Sequence, residues 1–141
     1  MNREILFRAK AKATKEWAYG HFAKQYDVSQ IYAGNGHECI YEDTLCQYTG
    51  LTDKNGAKIF EGDIVRIGRY FNNNFYTEDN YVCKYDTNTA SFKFYYIVPK
   101  DITDVNKYAI LGDGATLSDM GCGFTIEVIG NIYDNSDLIE K

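Results

Sequence analysis

One proline in 141 residues is the first absence to weigh, since with no low-complexity stretch beside it the chain has no linker to divide it. No window approaches the ~18 consecutive apolar residues of a membrane span, and no apolar segment follows the N-terminal charges. Neither a spanning helix nor a leader segment is expected from these residues. There is no Asn-x-Ser/Thr glycosylation acceptor and no Cys-x-x-Cys pair. The four cysteines, Cys39, Cys46, Cys83 and Cys122, are too widely spaced for a zinc ribbon or a redox motif. Reduced, unligated thiols in a cytoplasmic compartment are expected, with no metal and no cofactor.

What the chain has in abundance is rings: 13 Tyr, 8 Phe and 1 Trp. Aromatic and β-branched residues suit a pleated, half-buried surface, so the bias points to β structure. The net charge of −5 is unevenly spread. Residues 1–24 hold six Lys or Arg against two Glu, a local +4, which leaves −9 on the remainder. An acidic body is a poor start for a polyanion, so nucleic acid is disfavoured as a partner and the basic N-terminal part keeps only a weak option open.

Strand-like patterns begin at 3–8 and 16–22, thin out between 25 and 45 around the turn Gly34-Asn35-Gly36, and then sharpen. In QYTGLTDKNGAKIFEGDIVRI (47–67), Gly50 ends one element and Asp53-Lys54-Asn55-Gly56 is a tight-turn signal. Glu61-Gly62-Asp63 then redirects the chain into Ile64–Ile67, with Gly62 in a backbone conformation that a side chain would forbid. Gly50, Asn55, Gly56, Gly62 and Asp63 form the structural turn motif. Further on, residues 81–85 and 91–98 read as a hairpin around Asp86–Thr89, and residues 101–111 are the one helical candidate. A Gly-rich loop (112–123) leads to a last strand at 125–133, after which Asn135 is placed to cap a short turn. Short strands at close spacing argue for a mainly β fold, a small SH3-like barrel or roll with an N-terminal β extension and at most one or two short helices. A single domain over 1–141 is expected, with residues 1–45 as the extension and 46–135 as the barrel.

Three sets of residues invite chemistry. Glu42, Asp43, Asp53, Glu61 and Asp63 offer carboxylates, yet each sits by a turn, where such groups satisfy backbone N–H donors. His37, Glu38 and Cys39, with His21 and Cys46, lack the second close pair that a zinc site wants. The loop 112–123 has four glycines but neither the order nor the lysine of a phosphate cradle. A catalytic residue is therefore not expected, and neither is an enzyme. The segment Arg66, Arg69, Tyr70, Phe71, Phe75 and Tyr76 is more suggestive. Rings beside guanidinium groups serve as protein-interface anchors or as platforms for unpaired bases. Three successive asparagines, 72–74, place a loop or hairpin tip among them.

Arg3-Glu4-Ile5 with Phe7-Arg8, then Trp17 with Tyr19-Gly20, the run Gln47–Val65 and the run Glu127–Asn135 together resemble the YopX family of phage and prophage proteins. Two departures are visible. Asn135-Ser136-Asp137-Leu138 stands where the family often has N-P-E-L, and Arg8-Ala9-Lys10 where R-A-W-D or R-G-K is usual. Residues 68–125 are unconstrained by the likeness. The resemblance implies a β-rich, SH3-like barrel working inside an infected or lysogenic bacterium, and it implies no activity. The expected role is a non-catalytic accessory protein that binds itself or another phage or host protein. The alternative is a small barrel that binds single-stranded nucleic acid.

Overall fold

Alternation along short strands writes the first sheet, and turns with left-handed residues fold it. β1 (Phe7–Lys10), β2 (Trp17–Gln25), β3 (Val28–Ala33), β4 (Gly36–Cys39) and β5 (Cys46–Thr52) run in the order β4-β3-β2-β1-β5, each neighbour antiparallel. The protein is described from a computed structural model covering residues 2–71, 74–99 and 123–139. It divides into two compact units, Met1–Leu51 and Thr52–Lys141.

In the first unit, Tyr26 (φ 50°) and Asp27 (φ 63°) make the β2–β3 turn, both in the left-handed region that a two-residue hairpin requires. At Gly20 the sheet leaves no room for a side chain, because a Cβ there would lie 2.1 Å from the carbonyl oxygen of Tyr32. A bridge between Ala11 and Ile40 brings the end of β1 back to the residue after β4. The core enclosed in this way is compact. Ala9, Ile31 and Ile40 are buried, with Phe7, Ala18, Phe22 and Leu45 packed against them.

The second unit contains β6 (Lys58–Phe60), β7 (Asp63–Phe71), β8 (Asn74–Asp86), β9 (Ser91–Tyr96) and β10 (Phe124–Asn131). Four of these form an antiparallel sheet in the order β10-β7-β8-β9. Ile59, Val65, Ile67, Tyr81, Cys83 and Phe94 form its core, and Tyr81 meets Tyr96 edge-on at 5.6 Å. The β8–β9 turn is tied by Asp86, whose carboxylate accepts from Asn88 N (3.0 Å), Thr89 Oγ1 (2.7 Å) and Lys93 Nζ (2.7 Å).

The fold is mainly β, as the ring-rich composition implies. Its sheets are open rather than closed into a barrel, because β9 and β10 stand as the two edges of the four-stranded sheet instead of pairing with each other. β1 starts at Phe7, four residues later than the alternation suggests, and the thin stretch 25–45 holds a complete β3–β4 hairpin. Asn135 occupies the N-cap position of a 3-10 turn (Ser136–Leu138) but does not cap it; its Oδ1 accepts from Asn131 N (3.1 Å) instead. Another such turn spans Glu42–Thr44. The helical candidate 101–111 and the Gly-rich loop up to residue 122 lie outside the described residues. Among the described residues no helix is long and apolar enough to cross a membrane.

Candidate functional site

The acids of the central motif hold the backbone in place. Asp53 is buried, its Oδ1 accepting from Asn55 N and Ala57 N (2.9 Å each) and its Oδ2 from Val128 N (3.0 Å). Burial pushes this carboxyl up, but the three N–H donors outweigh it and its pKa falls below the ordinary 3.8. Gly56 (φ 82°) completes the turn, and Lys54 fastens it to β10 through its N–H on Ile126 O (2.9 Å) and its Nζ on Glu127 (3.2 Å). One loop therefore reaches a strand more than seventy residues away.

Asp63 is likewise buried, and its Oδ2 accepts from Phe60 N (2.8 Å) across the Glu61-Gly62 step. Gly62 has φ 82°, donates to Cys83 O (2.8 Å) and accepts from Ile132 N (2.9 Å). It is the positive-φ hinge that the sequence calls for. Gly50 (φ 89°) lies beside the Arg3 side chain. Of the remaining acids, Glu42 accepts from Ser29 Oγ (2.7 Å) and from Lys24 Nζ (3.0 Å), bonds that lower its pKa. Asp43 is exposed, and burial raises the pKa of Glu61. Carboxylates committed to backbone N–H donors in this way serve the turns that hold the chain.

The cysteine and histidine set is scattered. Cys46 donates to Thr44 O (3.2 Å), exposed Cys39 faces Gln30, and Cys83 is in the core of the second unit. His37 stacks on Tyr32 at 5.3 Å, and Tyr32 separates it from His21 in the register. Cys122 lies outside the described residues.

The ring-and-arginine segment is split between two faces. Arg66 Nε reaches Glu78 Oε1 at 3.3 Å on the outer side of β7. Arg69 donates from Nη2 to the hydroxyl of core Tyr81 (3.1 Å) on the opposite side. Tyr70 is exposed. Phe71 pairs with Asn74 and Tyr70 with Phe75, so β7 and β8 form the expected hairpin; a bulge after Arg69 leaves Tyr76 as the extra residue. Residues 72 and 73, and the side chains of Phe71, Phe75 and Tyr76, lie outside the described set.

The sequence gives no sign of an apolar groove on the second unit. Val82, Ile97, Val98, Ile132 and Ile139 line about 340 Å³, with Lys84 at the rim. A second hollow of about 410 Å³ shares Lys84 and Ile132 and adds Glu61, Tyr85 and Tyr133. These residues come from the β6–β7 turn, β8, the exit of β9 and the segment after β10. Only the pairing of distant segments brings them together, and the one local hint is the apolar Ile97-Val98 continuing past the end of β9.

No curated protein sequence matches this chain. Among solved structures, the crystal structure of protein EF1440 from Enterococcus faecalis is similar, with a TM-score of 0.50 and 22% identity over 99% of this chain and 100% of that one. That likeness concerns the fold alone. The model of the family described as YopX protein matches residues 6–140, which takes in the N-terminal strands, the Asp53–Asp63 turns and the closing β10 segment. The chain belongs to the YopX family.

Proposed function

We propose that this is a non-catalytic phage or prophage accessory protein of the bacterial host's cytoplasm, a β module that associates with itself or with another phage or host protein. The groove of the second unit carries this reading. Its lining is mostly aliphatic with Tyr96 and Lys84 among it, and Lys84, Glu61, Tyr85 and Tyr133 line the adjoining hollow. Aliphatic side chains mixed with tyrosines and a few charges are the composition of protein interfaces. The backbone-bound carboxylates of Asp53 and Asp63 add support, since these acids serve the scaffold. A cationic stripe for nucleic acid on β7 is disfavoured, because Arg66 is engaged by Glu78 and Arg69 by Tyr81. The tip of the β7–β8 hairpin belongs to the same proposal as a second contact region, since loops held by a rigid sheet are where partners are met.

Light scattering after size exclusion tests this. The expected mass of wild type is a multiple of one chain, falling to one chain in Val98→Asp and Ile132→Asp. If wild type is monomeric, immobilised protein should capture a phage or host protein that both variants lose. A monomer whose capture is unchanged by these variants, and by Phe71→Ala with Phe75→Ala, rejects the reading.

A further inference from the structure

The β2–β3 hairpin ends in a large ring that its own fold leaves uncovered. Tyr26 is 91% exposed, while no other large apolar residue among those described exceeds 48%. Its φ of 50° lies in the left-handed region, where asparagine, aspartate and glycine are at ease and a ring is not. A bulky side chain there costs stability, and at this exposure burial does not offset the cost. Asp27 follows at φ 63°, exposed, its carboxylate without a hydrogen bond or ion pair among the described residues. Lys24, three residues earlier, is held by Glu42 (3.0 Å). The tip therefore presents a ring and a carboxylate side by side.

The aliphatic hollow of the second unit is complementary to that pair. Val82, Ile97, Val98, Ile132 and Ile139 line about 340 Å³, room for one phenol ring. Lys84 lines the same hollow, its ammonium 6.0 Å from the Tyr95 ring centre and without an ion pair among the described residues. Glu61 lines the adjoining hollow and not this one. An apolar slot beside an uncommitted cation matches a ring beside an uncommitted carboxylate.

We propose that the β2–β3 tip of one copy docks into the groove of a second copy, with the Tyr26 ring among Val82, Val98 and Ile132 and the Asp27 carboxylate on Lys84. Tyrosine is among the residues that most often anchor interfaces, and it does so from desolvated pockets. The adjoining pair of opposite charges fixes which way the tip enters. The contact joins two different surfaces, so assembly proceeds head to tail, into a ring or an open chain. The proposal rests on the groove being a protein-binding surface, and adds the partner and the residues that fill it.

Light scattering after size exclusion, run on the full chain over a range of concentrations, is the test. Wild type should exceed the mass of one chain at high concentration. Tyr26→Asn, which suits the left-handed turn, should run as one chain without lowering the melting temperature measured in dilute solution. Val98→Asp should also run as one chain. Mixed in equal amounts, these two variants should form a dimer that grows no further, since one supplies the groove and the other the tip. Lys84→Glu should weaken association by about tenfold or more, and Asp27→Lys in the same chain should restore it. A wild type that stays monomeric at every concentration overturns the proposal and leaves the groove to the capture experiment. Assembly lost in Val98→Asp but kept in Tyr26→Asn overturns it while upholding the groove. So do variants that stay apart when mixed, or a charge reversal that Asp27→Lys does not rescue. A Tyr26→Asn chain that melts early would assign the ring to its own hairpin, and overturns the proposal as well.

Discussion

Tyr81 in the four-stranded sheet and Tyr19 and Tyr32 in the first sheet put the same residue type to opposite uses. In the four-stranded sheet Tyr81 is 1% exposed, packed among Val65, Ile67, Cys83 and Phe94, with its hydroxyl bound by Arg69. In the first sheet the core is filled by Ala9, Ala11, Ile31 and Ile40, and Tyr19 and Tyr32 stand outside it. The ring count therefore combines two populations. One supplies buried area to a core, and the other supplies a surface. Gly20, pressed against the Tyr32 carbonyl, shows how closely the strands of the first sheet approach.

That contrast breaks most clearly at the rings themselves. Tyr81→Ala should destabilise the protein by about 3–5 kcal/mol, the usual loss for a large buried ring, whereas Tyr19→Ala should stay within about 0.5 kcal/mol. Denaturant midpoints of the two variants check this, and similar losses would erase the distinction. Next in size is Asp53→Ala, at about 2–4 kcal/mol, because three backbone N–H groups lose their acceptor. Gly62→Ala follows at about 1 kcal/mol or more, since φ 82° strains any side chain. A thermal melt unchanged by Gly62→Ala would mean that the turn relaxes.

The smallest effect concerns pH. The bond from Lys93, with those from Thr89 and Asn88, holds the Asp86 carboxyl at about 2 against an ordinary 3.8. A depressed carboxylate contributes stability above its unfolded value and loses it as pH falls through the folded one. Wild type should therefore exceed Asp86→Asn by a small margin at neutral pH. Its advantage should fade between about 3.8 and about 2, as read from melts across that range. A constant gap would place the benefit elsewhere.

Much of the second unit is legible in the sequence, because its turns carry their chemistry locally. Asn55-Gly56, Glu61-Gly62-Asp63 and Asp86–Thr89 each announce a reversal, and the strands between them alternate. The first unit is harder to read. Its β2–β3 turn is made by Tyr26 and Asp27, neither of them glycine, so the hairpin gives no local sign. The groove draws on Val82, Val98, Ile132 and Ile139, which only strand pairing unites. The basic bias of residues 1–24 is plain, but net charge hides its consequence. Register is needed to bring Tyr32 and His37 beside His21.

Tyrosine nitration of the folded protein, mapped by peptide mass spectrometry, compares the two ring populations in one sample. Tyr19 and Tyr32 should react early, and Tyr81 only after denaturant is added, since reagent reaches a ring only from solvent. Nitration of Tyr81 at the rate of Tyr19 in the native protein would contradict the division of rings between core and surface.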